Sequence, residues 1–112
     1  MANVYKNIQT TINQAASDVD MYTAPDETTS IIKSIKLYNT HGSNLVVDIK
    51  VYDLSSTTDF EWDTVTVLTN DSVDLLTFNN VLILEAGDIL RMQTPTTSVI
   101  KMTASVLQTS RS

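Results

Sequence analysis

Apolar and polar residues alternate with a period of two along most of this chain, and short turn signals restart the pattern. That is the signature of half-buried β-strands, in which successive side chains point to opposite faces. The clearest run is 45–53, where Leu45, Val47, Ile49 and Val51 alternate with Val46, Asp48, Lys50 and Tyr52. A first segment, 3–13, places Val4, Lys6, Ile8, Thr10 and Ile12 on one face. A second, 19–23, groups Val19, Met21 and Thr23 before Ala24-Pro25-Asp26-Glu27 breaks the run, since proline has no N–H for a ladder. Residues 29–39 put Ile31, Ile35 and Leu37 on one face and Tyr38 on the other. With the turn cluster His41-Gly42-Ser43-Asn44, this segment and 45–53 read as a hairpin.

Further strands are expected over 60–69, 73–78, 81–85, 88–93 and 98–108. Asn70-Asp71, Asn79-Asn80, Ala86-Gly87-Asp88 and Thr94-Pro95 separate them. Eight or nine short strands with frequent turns predict an all-β protein, an antiparallel β-sandwich of jelly-roll-like form. Periodicity does not give strand order. Val73-Asp74-Leu75-Leu76 also fits a single helical turn, and Asn13-Gln14-Ala15-Ala16 is ambiguous. Residues 1–16 read as an N-terminal strand or arm, and 17–112 as the sandwich domain. Only two glycines serve all these turns, so Asn and Asp are expected to supply much of the turning.

The length of 112 residues suits one domain. Serine and threonine make up 28 of those residues, enough to keep outer faces wet although only 18% of the chain is charged. The net charge of −6 opposes binding to a phosphate backbone or an anionic membrane surface. No cysteine is present, which removes disulfides, thiolate nucleophiles and zinc–thiolate sites. No apolar run approaches a membrane span, and the start Met1-Ala2-Asn3-Val4-Tyr5-Lys6 lacks signal-peptide character. Synthesis in the cytosol is the expectation.

Nothing assembles into a catalytic set. The one histidine, His41, lies in a turn beside Ser43 with no carboxylate to orient it. Asp59, Glu61 and Asp63 alternate with Phe60 and Trp62, so the acids should share a solvated face opposite a Phe60/Trp62 core face. Alternate strand positions stand about 6.5–7 Å apart, too far for three carboxylates to close unaided on one calcium ion. Gly87 alone does not make a phosphate loop and reads as a tight turn. No enzyme activity, cofactor or metal is expected. Tyr5, Tyr22, Tyr38 and Tyr52 are spread over four strands, and tyrosine often anchors interfaces. The first segment, with Val4, Tyr5 and Ile8, has no evident hairpin partner. It is either an ordinary first strand or an arm that adds to a neighbour's sheet edge. Expected contact residues are Val4, Tyr5, Ile8, Tyr22 and Tyr38.

Met21-Tyr22-Thr23-Ala24-Pro25, the strand Thr28–Asn39, Leu84-Glu85-Ala86-Gly87-Asp88-Ile89-Leu90 and a final strand ending near Leu107 together resemble small β-sandwich virion proteins of tailed bacteriophages. The resemblance spans about residues 19–108. It implies a structural protein of the virion that decorates or cements the head. Its partners would be copies of itself, in an oligomer such as a trimer, and other virion proteins such as the major capsid protein. A neck, tail or fibre protein is the first alternative. A carbohydrate-binding module that stacks a sugar on Trp62 is the second.

Overall fold

The computed structural model describes residues 3–13, 15–76, 81–96 and 99–110. These residues form nine strands and no helix. They are β1 (Asn3–Thr11), β2 (Val19–Thr23), β3 (Thr28–Asn39), β4 (Leu45–Asp53), β5 (Thr58–Val67), β6 (Ser72–Asp74), β7 (Leu82–Leu84), β8 (Ile89–Gln93) and β9 (Ile100–Ser110). One sheet runs β1-β9-β3-β6, with β7 also on β3, and the other runs β2-β8-β4-β5. All pairings are antiparallel.

β6 pairs with residues 36–38 of β3, and β7 pairs with 30–32 in the same direction. They are two halves of one interrupted strand. Counted so, eight strands pair first with last, second with seventh, third with sixth and fourth with fifth. A long hairpin rolled up on itself gives this pattern, and it defines a jelly roll. The hairpin expected between 29–39 and 45–53 does not form, because β3 and β4 lie in different sheets. Alternation reports that each strand has a buried face but not which neighbour supplies its ladder.

The core fills the space between the sheets. Ile32, Ile35, Leu37, Ile100, Met102 and Val106 from the first sheet meet Val47, Ile49, Leu90 and Met92 from the second. β1 lies along β9 of its own chain, from Asn3 opposite Thr109 to Thr11 opposite Lys101. It sends Ile8 against the core, and the following Ile12 is fully buried.

A bulge in β3 leaves Lys33 unpaired between Ile32, opposite Val106, and Ser34, opposite Ser105. One extra residue reverses the parity of a strand. Ser30 and Ile32 therefore face inward with Ile35 and Leu37, while Ile31 faces outward. This corrects the expectation that Ile31 shares the face of Ile35 and Leu37.

Two polar clusters hold the interior. The Tyr22 hydroxyl lies 2.7 Å from the Ser30 hydroxyl and accepts from Gln108 Nε2 at 2.6 Å. This bridges β2 in the second sheet to β3 and β9 in the first. Removing the hydroxyl with Tyr22→Phe should cost about 1–2 kcal/mol in urea unfolding, since Ser30 stays buried without that partner. Asn39 is also buried, where the chain leaves the first sheet for the second.

Gly87 is third in a tight turn closed by Asp88 N–H donating to Glu85 O at 2.9 Å. Its φ of 85° is the left-handed conformation such a turn requires. The other left-handed residues described are Ala16, Glu27, Thr57 and Asn70, so asparagine and aspartate do less of the turning than composition suggested. Val73-Asp74-Leu75-Leu76 begins as strand β6 and is not a helical turn. The expected Asn79-Asn80 turn and the first residue of the expected 98–108 strand lie outside the described residues.

Candidate assembly surface

The parity change at Lys33 builds a surface no single strand reveals. On the outer face of the first sheet, Tyr5 of β1 stands opposite Leu107 of β9. Leu107 stands opposite Ile31 of β3, and Ile31 opposite Ile83 of β7. Four large apolar side chains thus form one row across four strands. Tyr5 is 73% exposed and Ile83 56%, and Leu107 and Ile31 between them are half-buried. Isolated surface apolar residues need no explanation, but a row rimmed by polar residues marks an interaction site. The rim here is Asn7, Ser105 and Ser34 on one side and Asn3, Thr109 and Thr29 on the other. Two shallow depressions open along β1 and β9, one of about 270 Å³ with Lys33 at its wall and one of about 370 Å³ with Lys101.

β1 also presents a free edge. Of the four edge strands, β2 has five residues and a bulge, and the β6/β7 strand is interrupted. β5 is bulged and carries Asp59, Glu61 and Asp63. Bulges, breaks and charges of this kind discourage strand addition. β1 has nine residues in unbroken register, and Lys6 is its only charge. It is the edge most open to pairing with another strand.

Of the expected contact residues, Tyr5 begins the row. Val4 is exposed on β1, and Ile8 is half-buried beneath it. Tyr38 is exposed on the same outer face, opposite Lys101 and Ser72. Tyr22 is buried, and its hydroxyl is engaged inside the sandwich. The sequence reading missed Ile31, Ile83 and Leu107. The turn-bounded apolar runs signalled strands at these positions, but only the register joins them into a row.

The outer face of the second sheet is polar. Arg91 donates from Nε to Asp20 at 2.8 Å and from Nη1 to Asp59 at 3.0 Å, with its guanidinium 4.6 Å from the centre of the Tyr52 ring. Lys50 donates to Asp18 at 3.2 Å and lies 3.9 Å from Glu61. The hydrogen bond to Asp18 holds the Lys50 amine above its ordinary pKa. Hydrogen bonds from Ser55 hold the Asp53 carboxyl below its own.

The bulge at Trp62 sets Glu61 opposite Lys50 but Asp63 opposite Ile49. The three acids therefore do not share one face as simple alternation suggested. Among the described residues no group of three His, Cys, Asp or Glu side chains is placed to hold a metal ion. Phe60 is exposed rather than in the core, while Trp62 packs partly buried against it. Nδ1 of His41 accepts from Ser43 N–H within its turn.

Fold and surface together define a jelly-roll β-sandwich with one apolar-striped face and one open edge. No family model matches the chain, and no curated protein matches it. Among solved structures, a chain described under "Bacillus endospore appendages form a novel family of disulfide-linked pili" is similar, with a TM-score of 0.61. Identity is 15%, over 98% of this chain and 89% of that one, a likeness of fold. The covalent link in that description requires cysteine, which this chain lacks.

Proposed function

We propose that this chain is a non-enzymatic structural subunit of a tailed-bacteriophage virion, a decoration protein that coats or cements the head. The apolar row Tyr5–Leu107–Ile31–Ile83, on the face bordered by the β1 edge, carries the reading. Such a face stays soluble on a monomer through its Ser/Thr rim and gains free energy when covered. Each copy needs only modest contact, because many contacts on a lattice reinforce one another through effective concentration. The sequence resemblance supplies the virion setting. A neck, tail or fibre location is the second reading, favoured by the fold's likeness to a chain described as part of a pilus. Trp62 packs partly buried against the core rather than standing fully exposed, which weighs against the sugar-binding alternative.

The test is co-sedimentation with isolated tail-less heads and, separately, with isolated tails. Saturable binding to heads is the expected result, and binding to tails alone would move the protein to the second reading. Deleting residues 1–12 would be a poor probe, because it removes buried Ile12 and uncovers β9. The variant Tyr5→Ser/Ile83→Ser truncates exposed side chains and should melt like the parent. Its particle binding should weaken by about thirtyfold or more, the equivalent of losing roughly 2 kcal/mol of apolar burial.

A further inference from the structure

The charged residues divide between the two sheets by sign. On its outer face the first sheet carries Lys33, Lys36 and Lys101 against Asp74. On its outer face the second carries Asp20, Asp48, Asp59 and Glu61 against Lys50 and Arg91. Both cations of the second sheet are already engaged by acids of that same side. Asp48 accepts from the Thr64 hydroxyl, a neutral partner. That face is therefore acidic as a whole, and the face with the apolar row is basic.

We infer that the basic, apolar-striped outer face of the first sheet docks onto the acidic outer face of the second sheet of another copy of this chain. This rests on reading the striped face as an assembly surface. Two striped faces brought together would oppose lysines, and two acidic faces would oppose carboxylates. Only the mixed contact pairs opposite signs, and complementary charge selects partner and orientation. Lys33 and Lys101, at the walls of the two depressions, give entering carboxylates a place to sit. Val46 and Ile89 are the apolar side chains the acidic face offers to the row. The two faces lie on opposite sides of the sandwich, so the contact is head-to-tail. Such a contact leaves one face free at each end and runs on as an open stack unless its rotation closes a ring.

Sedimentation velocity over a wide concentration range, at about 0.05 M and about 0.5 M salt, tests this. At low salt the average mass should climb with concentration, and high salt should weaken association by about tenfold or more. Lys36→Glu/Lys101→Glu and Asp48→Lys/Glu61→Lys should each stay monomeric while melting like the parent. An equimolar mixture of the two should regain association, as should the chain carrying all four changes. A parent chain that stays monomeric throughout, or association indifferent to salt and to both reversals, would overturn the inference. The same samples with heads and tails keep the two proposals apart. Particle binding by a strictly monomeric parent removes only the self-docking, and self-association without particle binding removes only the virion role.

Discussion

Asn39→Leu should destabilise the protein by about 3 kcal/mol while changing side-chain volume little. Asn39 Nδ2 donates to Ser43 O and to Val67 O, each at 2.9 Å, and its Oδ1 accepts from His41 N–H at 2.7 Å. Its own backbone N–H donates to Asp71 O, and its carbonyl accepts from Asn70 N–H. One side chain thus ties the end of β3 in one sheet to the end of β5 in the other and shapes the connection between them. Leucine fills the space but leaves three backbone groups short of a partner, at about 1 kcal/mol or more each. Urea unfolding checks this. The midpoint should fall with an unchanged slope, because the surface exposed on unfolding is the same. A loss under about 1 kcal/mol would mean that water replaces all three bonds and that the connection does not depend on Asn39.

Ile32→Ala should cost about 3 kcal/mol, and Ile31→Ala, one residue earlier, well under half of that in the isolated subunit. Ile32 is fully buried opposite Val106 and Leu82, so truncation leaves a cavity between the sheets. Ile31 stands half-buried on the outer face, where solvent fills whatever is removed. A domain of this size has roughly 5–15 kcal/mol to lose, so the difference is easily read from thermal or urea unfolding. The reverse ranking would mean that β3 has no bulge at Lys33, and the apolar row would disappear with it. The row predicts a second asymmetry: Ile31→Ala should weaken particle binding more than it weakens folding.

How much was legible in the sequence follows from the range of each signal. The strand at 45–53 and the short strand at 19–23 emerge with the bounds that alternation and Pro25 gave them. An exposed Tyr5 and Tyr38 also fit a local reading, while Tyr22 looked the same and proved buried. What separates it is Ser30 and Gln108, partners 8 and 86 residues away. Likewise nothing local distinguishes Asp63 from Glu61, and the bulge at Trp62 turns them differently.

By itself the sequence determined the strand content, the lack of any cysteine chemistry, the acidic balance and the apolar total that a two-sheet core requires. These properties are local or additive, so order along the chain suffices to read them. Tertiary structure alone decided that β3 pairs with β9, β6 and β7 rather than with β4, that Ile32 and not Ile31 is inside, and that the outer faces of the two sheets carry opposite net charge. Each of those depends on register between strands distant in sequence. A one-residue bulge costs the local pattern almost nothing, yet it moves every following side chain to the other side of the sheet.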